Sequence, residues 1–149
     1  MHRATVEWKK EGDFARKNYQ RAHRWRFDGG LEVKAAASPS VVPLPWTAAD
    51  AVDPEEAFVA AVSSCHMLTF LFLAANEGYV VESYVDEAEG LLADDGGGRS
   101  ITEIVLRPLI VFSGEKQPSA EVLEQLHHRA HEECFISRSV KTRIRTEQR

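Results

Sequence analysis

The spacing of apolar residues switches between a two-residue and a helical rhythm along the chain, and the switches divide it into elements. Ala4 to Lys9 alternates and predicts a short strand, which Gly12 and Asp13 break. His23-Arg24-Trp25-Arg26-Phe27 resumes the alternation, and Leu31 to Ala35 returns after Asp28-Gly29-Gly30. Glycine takes positive φ without steric cost, so this stretch predicts a hairpin. Pro39, Pro43 and Pro45 remove backbone donors and predict an irregular loop from Ser38 to Pro45.

The next segment predicts a long helix from Glu55 to Glu77. Asp53 suits the N-cap, Pro54 the first helical position, and Glu56 completes a capping box, while Gly78 supplies the stop. The middle of this helix is apolar on almost every side, which predicts a central, buried element. Its longest apolar run, Met67 to Ala75, is shorter than the roughly 20 residues of a membrane span, so no membrane partner is expected. Tyr79 to Leu92 and Ser100 to Phe112 predict two strands around the turn Asp94-Asp95-Gly96-Gly97-Gly98. Ser119 opens a second helix running to about Glu133, and Ser139 to Thr146 predicts a last strand. This order predicts an α+β fold of antiparallel sheets with two principal helices.

Composition narrows the picture. A chain of 149 residues that is 44% hydrophobic suits a single domain, 1–149, around one core. A net charge of −5 argues against a nucleic-acid partner, which needs a basic surface. The start, Met1 to Trp8, has no apolar core of a secretory leader, so a cytoplasmic location is expected. In a reducing compartment the 2 cysteines predict a free pair or a transient disulfide, not a permanent staple.

Those cysteines are the candidate chemistry. A thiol within an apolar helix is ordinarily inert because burial keeps it protonated, whereas a nearby cation favours the reactive thiolate. For Cys65 the candidate cation is Arg21, with Glu55 to hold it and Cys134 as a second thiol. His127, His131 and Cys134 share helical spacing that could mimic metal ligands, but no further pair completes a closed site, so no metal is expected. His66 points about 100° away from Cys65 around the helix, which predicts a hydrogen-bonded polar group at a buried end. Phe58, Phe70 and Phe72 predict core, whereas Trp46 and Phe135 are candidates for an apolar substrate mouth.

Several segments resemble the osmotically inducible protein C and organic hydroperoxide resistance (OsmC/Ohr) family. They are Tyr19-Gln20-Arg21-Ala22-His23, Phe27-Asp28-Gly29-Gly30, Ser38-Pro39, Asp53 to Phe58 through Ser64-Cys65-His66-Met67, and Ala130-His131-Glu132-Glu133-Cys134. The most specific is the Pro-Glu-Glu helix carrying Cys65 ten residues after Glu55. The resemblance implies a thiol-dependent peroxidase for organic hydroperoxides, working as an intertwined homodimer without a metal or organic cofactor. It implies that Cys65 is the peroxidatic and Cys134 the resolving cysteine, paired transiently in a disulfide that an external dithiol reduces. It further implies that Arg21, or less well Arg24, activates Cys65 and that Glu55 holds the arginine. On a continuous helix Glu55 and Cys65 are roughly 15 Å apart, so if both roles hold, Glu55 comes from the partner chain. His66 after the first cysteine and Phe135 after the second depart from the pattern of many members. A non-catalytic redox-sensing or small-molecule-binding domain on the same fold is the alternative, and a metal-binding domain using His127, His131 and Cys134 is a third.

Overall fold

In the computed structural model, which describes residues 1–148, the chain forms two compact units that divide after Ala57. In the first, Ala4–Glu7 (β1), His23–Phe27 (β4) and Glu32–Ala35 (β5) form an antiparallel sheet in the order β1-β4-β5. Trp25 lies opposite Val6 on one side and Val33 on the other. The expected turn is present, with the Gly30 N–H donating to the Phe27 carbonyl at 3.0 Å. Gly12 and Asp13 do more than end a strand, because they form β2 and pair with Asn18–Tyr19 (β3). Lys17, at φ 63°, closes that ribbon by donating its N–H to Phe14.

Helix α1, Pro54–Asn76, starts on the predicted capping box. Asp53 Oδ1 accepts the Glu56 N–H at 2.7 Å and Glu56 Oε2 accepts the Asp53 N–H at 3.2 Å, so two donors that the helix leaves orphaned are satisfied reciprocally. At the other end Gly78 adopts φ 79° and donates to Ala75, while Tyr79 donates to Ala74. The expectation of a helix buried all round is corrected. Val62, His66, Phe70, Leu73 and Ala74 are buried, but Leu68 and Phe72 are each 61% exposed. Phe72 is therefore not core, whereas Phe70 is. The run Met67 to Ala75 understates the helix, because the whole of α1 is long and apolar enough by length and composition to cross a membrane.

In the second unit each of the two predicted strands is split. Val80–Asp86 (β6) pairs with Pro108–Ser113 (β9), and Glu89–Asp94 (β7) pairs with Arg99–Leu106 (β8). The break is built by Asp86, whose carboxylate accepts the Arg107 N–H at 2.6 Å and the Ser63 hydroxyl, and by Pro108, which has no ladder donor. Arg143–Thr146 (β10) joins β8 in parallel, with Ile144 opposite Ile104, so the sheets are not wholly antiparallel. A parallel neighbour needs a long crossover, and Ala120–Glu133 (α2) lies within it. Ser119 caps α2 by accepting the Val122 N–H.

Two apolar clusters hold this unit. Phe70, Leu73 and Ala74 of α1 meet Leu126 and Ala130 of α2, with Tyr84 and Ile110 against them. Val62 meets Ile104 and Leu106, with Val59 and Ile144 alongside. Gly90 lets β7 approach α1 closely, because a Cβ there would lie 2.5 Å from Val59 Cγ2.

Candidate functional site

Helical phase puts Cys65 at the edge of the buried face of α1, one step from the exposed stripe of Ala61, Ser64, Leu68 and Phe72. Cys134 ends α2, where its own N–H closes the last turn onto Ala130 at 3.0 Å and its carbonyl accepts the Arg138 N–H. The side of α1 around Cys65 and the residues on either side of Cys134 frame an open groove of about 720 Å³. Cys65, Leu68, Phe72, Phe135 and Ile136 line it, and Glu132 and Arg138 are charged groups among its walls. The lining is apolar around one half-buried sulfur, which suits an apolar molecule with a single reactive polar group.

Both thiols are free; Cys134 is fully buried and Cys65 half-buried. Their environments pull in opposite directions. Burial pushes the Cys65 thiol up, and the neighbouring Cys134 sulfur adds to this. Burial also works to raise Cys134 but is outweighed by the Cys65 S–H, Ser137 and the backbone of Ile136, so its net direction is downward. The Ser137 N–H points at Cys134 Sγ across 3.4 Å, at the start of the 3-10 turn Ser137–Ser139. Within this unit burial opposes charge on Cys65, while the hydrogen bonds after Cys134 favour charge on that sulfur. The spacing Cys134-Phe135-Ile136-Ser137 carries the local signal for the Ser137 contact, a thiol three residues before a turn amide.

The remaining candidates fall into place by unit. Phe135 is 78% exposed and lines the groove beside Cys65. Arg21 is half-buried in the first unit, with its guanidinium 3.8 Å over the Tyr19 ring and Nη1 donating to the Tyr19 carbonyl at 2.5 Å. Trp46 comes next to it through the backbone, since its carbonyl accepts the Arg21 N–H at 3.0 Å. Arg24 pairs with Glu32 at 3.2 Å on the surface. Glu55 is half-buried in the first turn of α1, and the helix runs unbroken from there past Cys65.

The histidines form a feature the sequence did not disclose. His66 Nε2 and His127 Nδ1 lie 3.0 Å apart in the core, with the rings stacked at 5.3 Å. His66 Nδ1 and His127 Nε2 have no partner, so the expected satisfied group is satisfied on one side only. Burial lowers His66 to about 3, helped by His127 and His131, and lowers His127 to about 4 against the opposing charge of Asp86. Among the described residues no group of three or more His, Cys, Asp or Glu side chains is arranged to hold a metal.

Comparisons with known proteins agree with this architecture. A family model described as OsmC-like protein matches residues 47–149. An OsmC-like protein of unknown function from Vibrio cholerae is 52% identical, with 100% of this chain and 99% of that one covered and a TM-score of 0.97. An organic hydroperoxide resistance protein OsmC from Legionella pneumophila is 18% identical over 99% of this chain and 94% of that one, at a TM-score of 0.69. The organic hydroperoxide resistance protein OhrB of Bacillus subtilis is 19% identical over 99% and 98%, at 0.60. These last two likenesses are of fold. A comparison with curated proteins returns no match.

Proposed function

The chain belongs to the OsmC-like family, and we propose that it is a thiol-dependent peroxidase that reduces organic hydroperoxides in defence against oxidative stress. The observation that carries this reading is the half-buried Cys65 in an apolar groove with Cys134 in electrostatic contact behind it. In the proposed cycle the Cys65 thiolate attacks the distal peroxide oxygen, the O–O bond breaks, and the alkoxide takes up a proton to leave as an alcohol. The Cys65 sulfenic acid then condenses with the Cys134 thiol, forming the disulfide and water. An external dithiol reduces that disulfide by exchange and is itself oxidised. No metal or organic cofactor enters the cycle, and a cytoplasmic setting suits it.

Because its immediate surroundings push Cys65 up, this reading requires a cation at the thiol. Arg21 is assigned that role, with Glu55 orienting its guanidinium. Since α1 is continuous, Glu55 and Cys65 of one chain are roughly 15 Å apart along the axis. A homodimer in which the partner chain supplies Glu55 meets this distance, and the exposed Leu68 and Phe72 are apolar surface of the kind a dimer buries.

Stopped-flow oxidation of the reduced protein by cumene hydroperoxide and by hydrogen peroxide tests the activity. A clear preference for the organic peroxide, abolished in Cys65→Ser, is expected; equal sluggishness toward both would refute the peroxidase. The upward push on Cys65 favours one second reading, a redox-sensing domain whose disulfide forms without turnover. Repeated cycles of peroxide consumption in the presence of a dithiol would exclude it.

A further inference from the structure

We propose that His23 and Trp25 are positioning residues for Arg21, forming a hydrogen-bonded relay along β4 that fixes the arginine backbone. The inference rests on the role given above to Arg21. His23 and Trp25 alternate onto one side of β4 and Arg21 lies two residues before its start, so a relay between them needs no distant contact. The Trp25 indole Nε1–H donates to His23 Nε2 at 2.9 Å, and His23 Nδ1 lies 2.8 Å from the Arg21 carbonyl oxygen. An indole nitrogen only donates and a carbonyl only accepts. The imidazole is therefore the neutral tautomer that carries its proton on Nδ1, accepting from Trp25 and donating to Arg21.

The other side of Arg21 is pinned as well. Its N–H is shared between the Trp46 carbonyl and Gln20 Oε1, at 3.0 and 2.9 Å. The Gln20 amide in turn donates to the Pro45 carbonyl at 2.9 Å. With donor and acceptor of the residue both held, the Cα–Cβ direction is set, and the long side chain searches fewer positions before it engages a thiolate. Tyr19 offers the guanidinium a resting place over its ring. His23 thus differs from an ordinary strand histidine: its ring bridges an indole and the main chain of the one residue assigned to activate the thiol.

Paired isosteres separate this role from simple packing. His23→Asn keeps a donor near the Nδ1 position and loses the acceptor for Trp25, whereas His23→Gln does the reverse. Steady-state kcat and KM for cumene hydroperoxide would be measured together with Cys65 alkylation by iodoacetamide, read by peptide mass, and thermal midpoint. His23→Gln is expected to lower kcat and the alkylation rate about tenfold with KM little changed, the scale of one lost hydrogen bond. His23→Asn should stay within about threefold of the parent rate, and Trp25→Phe, which keeps the ring bulk, should show a loss of a few-fold. In an Arg21→Ala background His23→Gln should add nothing further. Equal losses in the Asn and Gln variants that follow the thermal midpoint, parental rates in His23→Gln or Trp25→Phe, or additivity with Arg21→Ala would each overturn the relay while leaving Arg21 in its role. Parental rates in Arg21→Ala itself would overturn both, and so identify the earlier assignment as the failed step.

Discussion

Cys65–Cys134 and His66–His127 link the same two helices from neighbouring positions on α1, yet they live in different chemistry. Cys65 lines an open groove, and the buried Cys134 takes the Ser137 turn amide as a partner. The imidazole pair is buried, with Phe70 stacked on His127 at 4.5 Å. One residue along a helix turns a side chain by about 100°, and here that rotation separates a group able to meet a substrate from one held neutral by burial. Proximity in sequence to the groove-lining thiol therefore does not place His66 in the groove.

The strongest way to break this contrast is to remove Cys65, the half-buried thiol proposed as the nucleophile. Cys65→Ser should lower hydroperoxide consumption at least about a thousandfold, as loss of a nucleophile does. His66→Gln should leave consumption within a few-fold, and a collapse of activity in the folded His66→Gln protein would show that the two pairs are not chemically separate.

Acid tests the buried pair next. The ordinary histidine value is 6.5, and the folded values of about 3 and about 4 lie below it, so the unfolded chain binds more protons as pH falls from 6.5. Stability from these groups is fully present above 6.5 and is lost progressively as pH falls through about 4 and about 3. Thermal midpoints measured across that range should fall steeply in the parent protein. A His66→Leu, His127→Leu double variant should show a shallower slope, and an identical slope would move the acid sensitivity elsewhere.

A smaller effect sharpens the sulfur side. Since the Cys134 sulfur helps hold Cys65 up, Cys134→Ser should shift the Cys65 titration downward and speed its alkylation near neutrality a few-fold. Slower alkylation would mean that Cys134 activates its neighbour instead. Smallest is Phe135→Ala at the groove wall. It should raise KM for a bulky apolar hydroperoxide about two- to fivefold, leave hydrogen peroxide kinetics alone and change stability by less than about 0.5 kcal/mol, because the ring is 78% exposed. Equal changes for both peroxides would remove Phe135 from substrate contact.

Signals that act over one turn of chain were legible in the residues alone. Asp53, Pro54, Glu56 and Gly78 delimit α1 because caps are satisfied by atoms a few residues away. Asp28-Gly29-Gly30 announced its turn for the same reason, and the spacing of Glu55 and Cys65 followed from helix geometry. Other features depend on partners distant in sequence. The split of the long strands needs Asp86 to meet Arg107 and Ser63, and the parallel place of β10 needs the crossover through α2. The apolar pattern of α1 could not tell which face remains open, since Phe70 and Phe72 are the same residue type and only the packing of α2 and the sheets distinguishes them. The thiols carry the same lesson: the sequence by itself determined that Cys65 sits on a long apolar helix, but the burial that raises its thiol and the amides that favour charge at Cys134 were decided in three dimensions, because both act through space.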